Sequence, residues 1–280
     1  MIIFGTVGIF VRNIGLPSGS VAFFRGIIGA VFLCAIMLIK GRKFDLTAIR
    51  KNLALLAASG VCIGINWILL FEAYRYTTVA AATVCYYLSP VFVIIASALL
   101  LGERLTLKKV LCAAVALCGV VLVSGVLTDG FGQLKGVLLA VGAAVFYSGV
   151  VMINKYLRDI SSYDMTVVQL ASAALTILPY TLFCEDLSPQ EFTGKTLVLL
   201  LVLGAVHTGL AYVLYFGAVS NLPAQTAAIF SYIDPACAVI FSAILLPDPV
   251  TPYGIAGAVL VLGSTLFCDL PVGRKWGKSS

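Results

Sequence analysis

Apolar residues run along this chain in long unbroken stretches, with polar residues clustered between them. The stretches occupy about 1–14, 19–40, 52–72, 77–101, 107–127, 135–154, 163–183, 196–219, 224–246 and 251–270. They are continuous rather than alternating, which argues against a membrane barrel, whose strands place an apolar residue at every second position. A helix that crosses a hydrocarbon core takes ~20 mostly apolar residues. The pattern therefore predicts an all-α membrane protein of ten transmembrane helices. Turn residues and charge mark the breaks, as in Leu16-Pro17-Ser18-Gly19, Gly41-Arg42-Lys43, Gly102-Glu103-Arg104, Thr128-Asp129-Gly130, Ser188-Pro189 and Pro247-Asp248-Pro249. Residues 1–14 reach only ~21 Å as a helix against a core of ~30 Å, so the first span reads as short or missing its beginning.

Composition turns this pattern into a statement about solvent. The chain has 280 residues, 61% hydrophobic and 11% charged. A soluble domain carries roughly 25% charged residues, so this chain could not cover a water-facing surface. Disorder is excluded by the same numbers, since disordered chains are charged and poor in apolar residues. Ten spans leave short loops and no room for a soluble domain. Eight cysteines are present with no CxxC and no Cys/His pair. Most lie inside apolar runs, where a thiol packs as a small hydrophobe. Neither a metal nor any other cofactor is expected.

The net charge of +6 would suggest nucleic acid in a soluble protein. Here the basic residues sit in short loops, where they set orientation, and no nucleic-acid partner is expected. Lys40, Arg42, Lys43, Arg50, Lys51, Arg104, Lys108, Lys109, Lys155 and Arg158 follow helices 2, 4 and 6, and Arg274, Lys275 and Lys278 end the chain. Only Arg12, Arg75, Lys135 and Lys195 fall on the other side. This bias predicts a multi-pass protein of the cell (plasma or inner) membrane with both termini cytoplasmic.

The two halves resemble each other at an offset of 145. Gly64 aligns with Gly209, Phe71 with Phe216, Tyr87 with Tyr232, Pro90 with Pro235, Ser97-Ala98 with Ser242-Ala243 and Thr106 with Thr251. Five helices per copy is an odd number, so the second copy enters the bilayer from the opposite side. The expectation is two inverted five-helix repeats, residues 1–130 and 131–272, followed by a basic tail, 273–280. Inverted repeats are the architecture of secondary transporters, whose substrate site lies near the midplane between the copies.

The segment Tyr86-Tyr87-Leu88-Ser89-Pro90-Val91-Phe92-Val93, leading into Leu101-Gly102-Glu103-Arg104-Leu105-Thr106, resembles the signature of EamA-type carriers of the drug/metabolite transporter superfamily. Tyr232-Ile233-Asp234-Pro235 through Leu246-Pro247-Asp248-Pro249 is a looser second copy, with prolines in place of Gly and Arg. Arg25, in Ala22-Phe23-Phe24-Arg25, resembles the family's second-helix arginine. The resemblance covers almost the whole chain except the start. It implies ten helices, a central cavity, and export of amino acids or other small metabolites.

Several residues are candidates for that cavity. Pro90 and Pro235 fall near the middle of helices 4 and 9, where a proline removes a backbone donor and kinks the helix. Asp234 lies in mid-span, where an acid costs ~2.5 kcal/mol or more and usually marks a substrate or ion path. It would bind an amine or carry a proton; the bland alternative is a paired acid that fixes packing. Arg25 would pair with Glu72, grip a substrate carboxylate, or snorkel to the headgroups. For Glu72, a local pair with Arg75 is the plainer reading. His207 is the single histidine, read as packing or as a group titrating near neutrality. Asn66, Trp67, Tyr86, Tyr87, Ser89, Gln169, Tyr212 and Tyr232 add amide and aromatic surface, whose plainer role is interhelical bonding. Glu103, Arg104 and Asp248 either gate the two faces or cap helices and hold topology.

The resulting expectation is a secondary exporter of a small-molecule substrate, working by alternating access in a lipid bilayer with a possible proton coupling. A channel or passive facilitator is the alternative, though rings of like residues are not visible. A membrane-embedded enzyme fits less well, because no HExxH and no nucleophile–base pair stands in the sequence.

Overall fold

The computed structural model describes residues 1–101, 106–124, 130–212, 214, 233–246 and 251–269. Among these the chain is helical, with no strand. The helices are α1 (Ile2–Gly5), α2 (Val7–Asn13), α3 (Ser18–Ile39), α4 (Leu46–Tyr76), α5 (Val79–Tyr86), α6 (Ser89–Leu101), α7 (Leu107–Val123), α8 (Leu134–Asn154), α9 (Ser162–Cys184), α10 (Gly194–Leu201), α11 (Ile233–Leu245) and α12 (Pro252–Asp269). A π-helical segment, Val202–Leu210, continues α10. Taking α1–α2, α5–α6 and α10 with its π segment as single rods gives the ten expected helices. Five rods (α3, α4, Val79–Leu100, α8 and α9) are long and apolar enough to cross a membrane.

The surface follows the same logic. Leu38, Leu99, Phe183 and Val259 stand exposed on the outside of the bundle. Phe71, Leu33, Leu88, Leu170, Ile177 and Leu203 are buried within it. Such a large exposed apolar surface suits lipid, since soluble monomers rarely show a contiguous apolar patch above a few hundred Å². Helix α4 packs on α8 and α9, α3 on α9 and the π segment, and α7 along α12. The start of the chain lies against α11: a Cβ on Gly5 would meet the Asp234 carbonyl at 2.7 Å.

Two boundaries differ from the sequence expectation. Helix α4 begins at Leu46 rather than near 52, because Asp45 caps it, accepting from the Thr47 and Ala48 N–H groups at 3.0 Å. Arg50 and Lys51 thus ride on the first turns of a helix about 46 Å long, not in a loop. The fourth rod is broken, not kinked. Helix α5 ends at Tyr86 and α6 starts at Ser89, so Pro90 is the second residue of a new helix. There its missing N–H costs nothing, since first-turn donors have no partner within the helix. Pro235 lies in the first described turn of α11 and is buried. Pro179, by contrast, stays inside α9.

The basic loops share one end of the bundle. Asn52 on α4 donates to the Arg158 carbonyl at 2.9 Å and accepts the Arg158 N–H at 3.2 Å. Arg42 lies over the Tyr163 ring, Lys155 reaches Ser97, and Lys108 donates to the Cys268 carbonyl at 3.2 Å. At the opposite end Arg12 donates to the carbonyls of Tyr74 (2.7 Å) and Thr77 (3.1 Å), capping the C-terminus of α4.

Candidate functional site

The breaks in regular structure meet at one place inside the bundle. Helix α3 carries Arg25 seven residues past its start, only 5% exposed. That burial removes the snorkelling alternative. Its Nε donates to Thr208 Oγ1 at 2.7 Å. Its guanidinium lies over the Trp67 ring, 4.5 Å from the centroid, and 5.6 Å from that of Phe71. Stacking of this kind contributes ~0.5–2 kcal/mol and holds the guanidinium plane fixed. Among the described residues its two Nη groups make no hydrogen bond. Glu72 is not its partner: that carboxylate accepts from Ser18 Oγ at 2.7 Å and meets Arg75 at 3.5 Å.

The π segment explains how Thr208 reaches Arg25. Thr208 Oγ1 also donates to the Leu203 carbonyl at 3.1 Å, and His207 Nδ1 lies 3.2 Å from the Val202 carbonyl. Both bonds reach back five residues, the spacing of the wider π turn. Close approach of α3 requires glycine: a Cβ on Gly204 would meet Ile28 at 2.5 Å, and one on Gly29 would meet Thr208 Cγ2 at 2.7 Å. π segments cluster at functional sites. Nothing in the apolar pattern announces this one, although Gly204 and Gly209 on a polar-bearing span are its trace.

Asp234 sits on α11 in the same region. Its Oδ2 accepts from the Tyr87 hydroxyl at 2.6 Å. Tyr87 stands in the gap between α5 and α6, so the helix break aims its ring across the halves. Tyr86 lies edge-on to Tyr87 (6.1 Å) and 5.4 Å from Tyr147. Asp234 accepts no other bond among the described residues. It is within electrostatic reach of Arg25, as are Tyr74, Tyr86 and Tyr212. The two charges form no ion pair, although a direct pair would be strongly favoured in a medium of low dielectric. Aromatic rings thus surround a guanidinium and a carboxylate that do not bond each other, and these side chains together make up the chamber.

The other candidates divide. Trp67 and Tyr212 belong to the chamber, with Tyr212 5.9 Å from Phe4. Asn66 is buried at its edge, donating to the Ala143 carbonyl at 2.6 Å and bonding Tyr86. Ser89 is buried at the first position of α6. His207 spends both ring nitrogens on the protein: Nε2 meets Thr6 Oγ1 at 2.9 Å, and Phe10 packs on the ring at 4.5 Å. It fastens the chain start to the π segment. Gln169 lies away from the chamber, bonding Ser59 Oγ (2.8 Å) and Asn154 Oδ1 (2.7 Å) between α9, α4 and α8. Tyr232, Glu103, Arg104 and Asp248 lie outside the described residues. A groove of about 460 Å³ between α4 and α8, lined by Leu69, Leu134, Lys135, Leu138 and Leu139, faces outward and carries none of this chemistry. Sequence reasoning missed Thr208, Thr6 and Phe71, whose roles depend on contacts made across the fold.

Comparison with known proteins agrees with this architecture. A family profile described as the EamA-like transporter family matches residues 1–125 and 134–268. The chain is 26% identical to the uncharacterized transporter YxxF of Bacillus subtilis, across all of this chain and 89% of that protein. It is 26% identical to an uncharacterized transporter of Archaeoglobus fulgidus, covering 95% of this chain and 92% of the other. Protein RarD of Salmonella typhimurium is 29% identical over 66% of this chain and 61% of its own length. A protein of known crystal structure, 20% identical, has the same fold, with a TM-score of 0.67 over 95% of this chain and 92% of that one.

Proposed function

Since the chain belongs to the EamA-like transporter family and is a multi-pass membrane transporter, we propose that it is a secondary carrier exporting small organic metabolites, amino acids foremost. The observation that carries this reading is the pair of charges, Arg25 buried and Asp234 half-buried, presented to one aromatic chamber without bonding each other. A guanidinium with both Nη groups spare suits a carboxylate, gripped through two parallel hydrogen bonds. A carboxylate held by a single tyrosine suits an ammonium group or a proton. A zwitterion of amino-acid size satisfies both and brings an apolar body to Trp67, Phe71 and Tyr86.

Alternating access between two inverted copies is the mechanism we assign. Its support is the register of the helices. Shifted by 145, α3 falls on 163–184 beside α9 (Ser162–Cys184), and α7 falls on 252–268 beside α12 (Pro252–Asp269). Each packs against its own counterpart, as elements next to a pseudo-twofold axis do. The basic end is assigned to the cytoplasm of the cell membrane by the charge bias, with both chain ends there. Proton coupling is assigned to Asp234, whose carboxyl exchanges a proton for a substrate amine.

The test joins two measurements. Metabolite profiling of media from overexpressing and deletion cells should identify an amino acid whose export follows expression. Uptake of that solute into proteoliposomes should then saturate, and should respond to an imposed pH gradient. Absence of any saturable solute flux overturns the carrier reading. Large conductance without saturation replaces it with a channel.

A further inference from the structure

At the end of the bundle away from the basic loops, α3 and α9 are fastened together by one side chain. Helix α3 begins after Pro17, which offers no capping side chain. Glu185, the residue that ends α9, supplies the cap instead. It accepts from the Gly19 N–H at 2.7 Å, the Ser20 N–H at 2.8 Å and Ser20 Oγ at 2.7 Å. A carboxylate on a helix N-terminus is stabilised both by these donors and by the helix dipole.

The offset of 145 carries this arrangement to the other end. Glu185 corresponds to Lys40, which ends α3, and Gly19 corresponds to Asp164, in the first turn of α9. The chemistry is reversed but still complementary: an acceptor at 185 meets donors at 19 and 20, and the offset pairs a donor at 40 with an acceptor at 164. The two ends are in opposite conditions. Asp164 is buried, 3% exposed, and its Oδ1 has no partner among the described residues. Lys40 stands exposed with no partner among the described residues. Near them, Arg42 lies over the ring of Tyr163, so the α3–α4 loop already reaches the start of α9. A buried carboxylate oxygen without a partner is unfavourable and rare in a folded protein. Here a matching cation hangs at the symmetry-related position.

We propose that Lys40 and Asp164 form the counterpart latch, made when the Glu185 latch releases, so that closure alternates between the ends of the α3–α9 pair. This deepens the alternating-access reading and rests on its inverted repeat. One salt bridge and one carboxylate cap then exchange as the bundle rocks, each offsetting the loss of the other. The state described here is the one with the Glu185 end fastened.

Hydrogen–deuterium exchange on the full chain in lipid nanodiscs tests this without any substrate. Glu185→Ala should speed exchange at 17–22 by about tenfold, the scale of losing a charge-assisted hydrogen bond, and should slow exchange at 160–166. Lys40→Gln should do the converse. Lys40 is exposed, so its replacement leaves the fold intact even if Asp164→Asn does not. The exchanged pair, Lys40→Asp with Asp164→Lys, should restore the wild-type pattern that each single change disturbs. The proposal is overturned if Glu185→Ala loosens 17–22 while 160–166 is unchanged. It is equally overturned if Lys40→Gln alters neither end, which would leave Asp164 as a residue of α9's first turn only. Exchange that alternates with no solute flux keeps the latch and discards the carrier. Saturable flux without alternation does the reverse.

Discussion

Two polar clusters among the described residues lie within this bundle, and they are built differently. In one, Gln169 on α9 gives its amide nitrogen to Ser59 on α4 and Asn154 on α8, and Ser59 donates to Asn154 at 3.1 Å. The groups turn toward each other and tie three helices. In the other, Arg25 gives one N–H to Thr208 and keeps two nitrogens unbonded among the described residues, while Asp234 takes one hydroxyl from Tyr87. Both clusters cost free energy to place in lipid, and only the first regains it within the protein. Asn, Gln and Ser between membrane helices contribute ~0.6 kcal/mol per interaction on average. An aspartate at the centre of a span costs ~2.5–3.5 kcal/mol. The lesson is that polarity alone does not identify a site in such a protein; spare bonding capacity does.

The comparison is broken most directly at the charges. Arg25→Gln should lower the apparent affinity for a carboxylate substrate at least about tenfold, since a charge-assisted bond of ~1.5–3 kcal/mol is lost. Arg25→Lys should recover only part of it, because an ammonium cannot offer a planar fork or lie flat between Trp67 and Phe71. Concentration-dependent uptake in proteoliposomes measures both. Asp234→Asn keeps the shape and removes the titrating group, so uptake should become insensitive to a pH gradient. Wild-type transport by this variant at every pH would end the assignment of Asp234 as proton carrier.

The residues that hold the charges should have smaller effects of a particular kind. Thr208→Val removes the acceptor for Arg25 Nε and the bond to Leu203. KM should rise several-fold with the maximal rate little changed, and Thr208→Ser should restore it. A merely structural role would instead lower the amount of folded protein, with KM unmoved. Tyr87→Phe deletes the 2.6 Å bond to Asp234. The Asp234 carboxylate then loses the hydroxyl it accepts from, so the pH profile of uptake should change. An unchanged pH profile would separate Tyr87 from the titrating group.

How much of this was legible beforehand follows from the range of each interaction. Ten apolar rods were legible, because lipid demands long apolar helices whatever the neighbours. The cap at Asp45, which lengthens α4 upstream, was local chemistry, yet the apolar run hid it. Arg25 and Asp234 stood out because charge is expensive in a span. Their partners did not: Thr208 is one unremarkable threonine until the π turn and the glycine contact at Gly29 bring it to α3. At Pro90 the sequence predicts a kink and not a break, because a proline alone does not reveal that Tyr87 and Leu88 leave the helix before it. The sequence groups Gln169 with the cavity residues, since it cannot tell which helices a glutamine joins.

Gln169 therefore gives the sharpest contrast at the small end. Gln169→Leu removes both amide bonds from a residue only 5% exposed and leaves Ser59 and Asn154 still bonded to each other. The volume is nearly kept and no charge is stranded, so α4, α8 and α9 should still pack through the close approach at Gly60. The loss should be about 1 kcal/mol, two bonds at the average membrane value. It should appear as a slightly lower melting temperature in detergent, with KM and pH dependence as in the wild type. The asymmetry with Arg25 is the informative result: similar burial, two bonds lost against one, and the larger effect on transport from the residue that makes fewer. If Gln169→Leu instead raised KM as Arg25→Gln is expected to, spare bonding capacity would fail as the mark of the site. The chamber would then have to extend to the α4–α8–α9 contact.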